Sequence, residues 1–142
     1  VIKSRIRKKI LKLREKKKLE KKDLNPSILI SILKKEFKNS FTVGGYFPVN
    51  CEISDLEILR ELIKKKIKVS LPVIGKNKNM NFHYWSFNEP LAINHYGIPE
   101  PLKSKIVIPD VLLVPIVAFD HKLFRLGYGG GFYDRYNEKV KK

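Results

Sequence analysis

Residues 41–74 read FTVGGYFPVNCEISDLEILRELIKKKIKVSLPVI, and the order of residue types in them decides the class of the fold. Phe41 to Val49 is aromatic and β-branched, the composition of a strand, and Gly44-Gly45 inside it marks a bulge or a close backbone approach. Asn50 to Ile53 makes the turn after it. Ser54 followed by Glu57 has the spacing of a capping box, opening a helix through about Lys66 with Leu59, Leu62 and Ile63 inward. Lys68 to Ile74 returns to a strand pattern. Strand, helix and strand within about thirty residues predict a β-α-β unit, whose strands lie parallel. Glu52 then sits at the carboxyl end of a strand beside a helix start, where open α/β sheets bind ligands. An exposed acidic turn residue is the commoner alternative for it.

The flanks extend the same alternation. Residues 1–22 predict an exposed helix with Ile2, Ile6, Ile10 and Leu13 on one face and mostly Lys, Arg and Glu elsewhere. Lys3 and Arg7, four apart, share a neighbouring face, either as solvated basic surface or as a pair aimed at one anion. Asn25-Pro26 supplies an N-cap and an N1 proline for a second helix over 26–38, buried through Ile28, Leu29, Ile32 and Leu33. Beyond the β-α-β unit, residues 80–87 alternate Met80, Phe82 and Tyr84 against Asn81, His83 and Trp85, which predicts a half-buried antiparallel strand. Pro90, Gly97, Pro99 and Pro101 predict a loop over 88–105, and the apolar run Val111–Phe119 predicts a fully buried strand. The expectation is a single α/β domain over 1–142, with a mainly parallel sheet and helices on both faces.

That last strand leads into Arg125-Leu126-Gly127-Tyr128-Gly129-Gly130-Gly131-Phe132-Tyr133-Asp134-Arg135, after which residues 132–139 are compatible with a helix. A glycine-rich turn between strand and helix exposes backbone N–H groups and a helix N-terminus, both favourable to an anion. Arg125 and Arg135 on either side add bidentate donors for phosphate or carboxylate oxygens. The stretch is not a P-loop, because no Gly-Lys-Ser/Thr follows, nor a dinucleotide fingerprint, because Phe132 stands where the third glycine belongs. A tight turn needing positive φ is the plainer reading of the glycines.

Thirty Lys and Arg against fourteen Asp and Glu give a formal charge of +16, which makes anionic partners plausible. The charge is mostly Lys spread along helical stretches, in a chain also rich in Ile and Asn, so compositional bias accounts for it better than a nucleic-acid footprint. A single cysteine, Cys51, allows no internal disulfide, and His83, His95 and His121 are too scattered for a metal or triad pattern. The longest apolar stretch, 111–119, is far short of a membrane span and contains Pro115. The basic N-terminus lacks the apolar core of a signal peptide. A reducing, cytoplasmic setting, no membrane and a monomer are expected.

Taken together, the blocks resemble the 5-formyltetrahydrofolate cyclo-ligase family, also called methenyltetrahydrofolate synthetases. Phe119-Asp120 followed by residues 125–135 looks like the family signature and is its most specific part. Gly97-Ile98-Pro99-Glu100-Pro101, Glu52-Ile53-Ser54 and Lys3-Ser4-Arg5-Ile6-Arg7 resemble three further blocks, in family order. The resemblance implies a Rossmann-like three-layer fold and the ATP-dependent closure of 5-formyltetrahydrofolate to 5,10-methenyltetrahydrofolate, with release of ADP and phosphate. It implies that the formyl oxygen attacks the γ-phosphate, N10 of the folate closes the ring, and phosphate departs. Such chemistry asks for positioning and charge stabilisation more than for a nucleophile.

Carried over by position, Lys3, Ser4, Arg5, Ile6 and Arg7 would meet ATP, as would Arg125, Leu126, Gly127, Tyr128, Gly129, Gly130, Gly131, Phe132 and Tyr133. Tyr128 to Phe132 would also face the folate, together with Phe47 and Glu52, and Glu52 would accept hydrogen bonds from ring N–H groups. Arg125 and Arg135 would act on the reacting phosphate, and Asp134 would ligate Mg²⁺. Two departures stand out. The family usually has glycine where Leu123 stands, and its chains run on for several tens of residues, with further strands and a second Asp near the metal. A fragment or short form is therefore expected, with an inactive folate- or nucleotide-binding remnant and a basic nucleic-acid-binding module as the alternatives.

Overall fold

The computed structural model describes residues 1–17, 24–102 and 105–142. The expected end of the first helix at residue 22, and residues 103–104 of the expected loop, lie outside them. The described chain runs α1 (Ile2–Lys16), α2 (Pro26–Glu36), β1 (Thr42–Gly44), α3 (Leu56–Lys64), β2 (Lys68–Ile74), β3 (Met80–Tyr84), β4 (Leu91–Ile93), β5 (Pro99–Pro101), β6 (Ile106–Val107), β7 (Val111–Leu112), β8 (Ala118–Phe119), β9 (Arg125–Leu126) and α4 (Phe132–Val140). Among the described residues no helix is long and apolar enough to cross a membrane.

A five-stranded sheet in the order β6-β3-β2-β1-β7 forms the middle layer. The β-α-β reading holds: β1 pairs in parallel with β2, Val43 opposite Val69, and in parallel with β7, Val43 opposite Val111. β3 and β6 are antiparallel additions, so the sheet is mixed, with its parallel pairing gathered around β1. Period-two alternation sorts the two cores. Val43, Val69, Leu71 and Trp85 face α2 and α3, against Ile30, Leu33, Ile58, Leu59 and Leu62. Met80 and Phe82 face the other way, onto Tyr136 of α4. Helices therefore cover both faces, as the class requires.

Several local expectations are corrected. α2 keeps its Asn25 cap, whose Oδ1 accepts the Ser27 N–H at 3.0 Å, but the helix buries Ile30 and Leu33 and leaves Ile28 and Ile32 exposed. Apolar residues at nearly every position from 28 to 33 left the buried stripe undetermined by periodicity. Stacking of Phe37 on Phe41, 5.1 Å between centroids, accompanies the face that is used. α1 likewise exposes Ile2, Ile6 and Leu13, and its half-buried positions are Arg7, Ile10, Leu11 and Arg14.

The strand expected over 41–49 pairs only over Thr42–Gly44. Gly45 N–H still bonds Ser70 O at 2.9 Å, but the next donor, Tyr46 N–H, goes to the Asp55 carboxylate at 2.9 Å, and there the ladder ends. Asp55, not Ser54, is the N-cap of α3, and the capping box does not form: Ser54 Oγ accepts from Leu56 N–H at 3.3 Å, and Glu57 pairs with Arg60. The loop expected over 88–105 contains the β4–β5 hairpin. Asn94 Oδ1 accepts the N–H groups of Tyr96 and Ile98 at its turn, and Glu100 Oε2 accepts from Asn94 Nδ2 and from Ile74 N–H, tying the hairpin to β2. The expected 111–119 strand is split into β7 and β8 around Pro115. Only Val117 in it is buried, and Phe119 is exposed.

The Gly44-Gly45 expectation of a close approach is met on both sides of the sheet. A Cβ at Gly44 would stand 2.6 Å from Leu112 Cδ2 and 2.9 Å from Phe82 Cε1; one at Gly45 would stand 2.6 Å from Leu59 Cδ2. Gly44→Ala is expected to destabilise the fold by about 1–3 kcal/mol through overpacking, read from denaturant unfolding. An unchanged midpoint would show that Leu112 and Phe82 give way freely.

Candidate functional site

The glycine-rich block lies where strand meets helix. β8 and β9 form a hairpin, Phe119 opposite Arg125, and the chain turns through Gly127–Gly131 into α4. Gly129 (φ 105°) and Gly131 (φ 68°) occupy left-handed backbone that only glycine adopts without cost, and Gly131 is the N-cap. The first intrahelical bond at this end is Arg135 N–H to Gly131 O, so the amides of Phe132, Tyr133 and Asp134 have no acceptor inside the helix. Amides and helix dipole together make an anion-favouring end.

Side chains from elsewhere converge on this turn. Arg7 Nε donates to Gly127 O at 2.7 Å, and its guanidinium carbon lies 3.6 Å from where a Cβ on Gly129 would stand. Arg125 Nη2 pairs with Asp134 Oδ1 at 2.5 Å, and the guanidinium of Arg135 stacks 5.0 Å from the Phe132 ring centroid. Tyr96, at the tip of the β4–β5 hairpin, meets Phe132 edge-on at 5.7 Å. Lys3, Ser4, Arg5 and Ile6 lie exposed along α1 ahead of Arg7. Phe47 is half-buried in the segment after β1.

Arg14, which the sequence reading passed over, is the firmest link between α1 and the block. Its Nη2 donates to Ile116 O (3.0 Å) and Val117 O (2.7 Å), and its Nη1 to the Tyr128 hydroxyl (3.2 Å). A planar guanidinium carries five N–H donors in a fixed fork, so it holds three acceptors spread over two elements in one geometry. Its seven-residue spacing from Arg7, on one helix face among lysines, was the available signal.

Glu52 comes to the same place. Its Oε2 accepts Val49 N–H at 2.9 Å, and burial pushes its carboxyl up, with that N–H and Arg14 pulling the other way. Burial and the Glu52 charge raise the Tyr128 phenol, and Arg14 opposes them. Burial, Asp55 and Glu52 raise Tyr133 and Tyr46 alike. Residues from α1, the β1–α3 turn and the glycine-rich block thus share one electrostatic environment. Leu123 keeps the turn before Arg125 by adopting φ 64°, while Asp120 Oδ1 accepts the N–H groups of Lys122 and Phe124. The turn survives the bulky residue at a backbone cost that glycine would not incur.

Such an assembly defines an α/β protein with an arginine-clamped glycine turn beside a half-buried carboxylate. The 5-formyltetrahydrofolate cyclo-ligase family model matches residues 1–142, and the chain belongs to that family. It is 37% identical over 110 residues to the 5-formyltetrahydrofolate cyclo-ligase of Haemophilus influenzae, covering 70% of this chain and 57% of that one. It is 36% identical to that of Escherichia coli K12, covering 66% and 56%. The solved structure of Aquifex aeolicus 5,10-methenyltetrahydrofolate synthetase superposes with a TM-score of 0.74 at 31% identity, covering 99% of this chain and 74% of that one. The matched region thus spans a little over half the length of those two curated relatives.

Arg14→Ala is expected to lower stability by about 1–3 kcal/mol, the range for a charged donor whose acceptors lose their partner. Urea unfolding measures it. Stability within error of the parent would mean that α1 is held by other contacts.

Proposed function

We propose that this chain binds ATP across residues 127–133 and closes 5-formyltetrahydrofolate to 5,10-methenyltetrahydrofolate, releasing ADP and phosphate. The observation that carries the reading is the convergence of Arg7, the α4 N-terminus and Glu52 on one site. Attack of the formyl oxygen on the γ-phosphorus builds charge on phosphate oxygens. Free amides at the start of α4 and Arg7 stand ready to receive it, and Arg125 joins them once it parts from Asp134. Arg135 supports the same end of the helix. Glu52 has one oxygen held by Val49 N–H, which leaves the other to accept from pterin N–H groups beside Phe47 and Tyr128.

Asp134 would hold Mg²⁺ as one carboxylate shared with phosphate oxygens and water, the habit of that ion. Its fit is a matter of exchange: the Arg125–Asp134 pair is exposed on the Asp134 side (75%), so parting it costs about 1 kcal/mol or less. The ion supplies neutralisation of triphosphate charge when bound. Among the described residues no group of three or more His, Cys, Asp or Glu forms a denser metal site. A cytoplasmic monomer is part of the same proposal.

Part of the positive charge has a local role. Lys34 and Lys35 close α2 and Lys64 closes α3, where cations complement the helix dipole. Nothing in their placement requires nucleic acid.

Mixing the protein with ATP, Mg²⁺ and 5-formyltetrahydrofolate should give methenyl absorbance. Arg125→Ala should slow it by about two to three orders of magnitude, ~2–4 kcal/mol for a lost contact to developing charge. Lys16→Ala, on the exposed end of α1, should leave the rate unchanged. No product, with a full-length relative active in parallel, would overturn the proposed activity for this chain.

A further inference from the structure

Asp55 is the one buried acid among the described residues, 2% exposed at the N-cap of α3, and it makes no side-chain cap there. The carboxyl turns back toward the sheet instead. Oδ2 accepts Tyr46 N–H at 2.9 Å and lies 2.9 Å from where a Cβ on Gly45 would stand. Oδ1 is buried with no hydrogen-bond partner among the described residues. The titratable groups facing it are Tyr46 after β1, Glu52 in the turn and Tyr133 on α4, and none is a cation. A buried carboxylate without a cation is expensive, so the neutral acid is the form that suits this place.

What the carboxyl holds is the neck of a closed turn. Tyr46 N–H is the donor at which β1 leaves the sheet, Tyr46 hydroxyl donates to Ile53 O, and Val49 N–H donates to Glu52. Phe47 and Glu52 are presented from that turn.

We propose that Asp55 is a positioning residue whose neutral carboxyl clamps this turn and so sets Phe47 and Glu52 for the folate. The substrate part rests on the function proposed above; the clamp itself does not. Burial pushes Asp55 up to about 7, the Glu52 charge adding to it and the amides of Tyr46 and Asp55 opposing it. An acid raised from its ordinary value near 4 gives stability that is complete below that value and is lost as pH rises through about 7.

The experiment compares wild type with Asp55→Asn, which keeps the acceptor for Tyr46 N–H but carries no charge. Relative to the variant, the wild-type unfolding constant should grow by up to about tenfold per pH unit between pH 5 and 7 and then level off, one proton being linked. Glu52 is present in both proteins, so the difference isolates Asp55. In turnover, the wild-type KM for 5-formyltetrahydrofolate should rise toward pH 8 while KM for ATP stays flat, and Asp55→Asn should flatten the folate limb. Parallel unfolding curves would overturn the neutral clamp. Diverging curves with identical KM profiles would reduce Asp55 to a purely structural group and overturn its positioning role. If neither protein turns over, the proposed activity fails separately. Exchange of the Tyr46 amide then decides: it should quicken beyond the Leu59 amide from pH 5 to 8 in wild type and not in the variant, and equal behaviour contradicts the clamp.

Discussion

Two missing side chains, at Gly44 and Gly45, set the spacing on which the rest of the molecule depends. Gly44 lets Leu112 of β7 and Phe82 of β3 close on one face of β1, and Gly45 lets Leu59 and the Asp55 carboxylate close on the other. Because β1 lies between β2 and β7, those contacts draw both helical layers toward the end of the same strand. Beyond that end of β1, Glu52 of the β1–α3 turn influences Tyr128 and Tyr133. Interiors packed to crystal density allow no slack for a methyl group in such a place.

Around that frame the site is assembled by arginine rather than lysine. Lysines dominate the composition, yet the side chains that reach from α1 to the glycine-rich stretch are Arg7 and Arg14, through carbonyl oxygens and a phenol. Each guanidinium spends only part of its fork on the protein. α1 has no fully buried residue, so these polar contacts add to the half-buried Ile10 and Leu11 in placing it. An anion arriving at the turn would tighten an arm already poised over it.

The strand-helix-strand core was legible because burial on one face imposes a period, and the glycine-rich turn because residue order there admits few alternatives. What escaped reading was whatever tertiary contacts decide between locally equal choices. The apolar run of α2 offered two stripes, and packing against α3 and Phe41 chose Ile30 and Leu33. β1 ended early because a carboxylate nine residues on took its next donor. Neither Asp55 nor Arg14 is marked out by any local pattern. In both cases the partner lies on another element, which no local pattern reports. The β4–β5 hairpin was hidden by its prolines, which interrupt strand patterns but are tolerated where the missing donors point away from a partner.

Where a nucleotide binds tests the site most directly. A crystal structure of this chain with ATP and Mg²⁺ should show the triphosphate over Gly129–Phe132, Arg7 and Arg125 within hydrogen-bond distance of its oxygens, and Asp134 parted from Arg125. Triphosphate seated elsewhere, for instance in the groove lined by Lys34, Lys38, Lys66 and Lys68, with the Arg125–Asp134 pair intact, would contradict it.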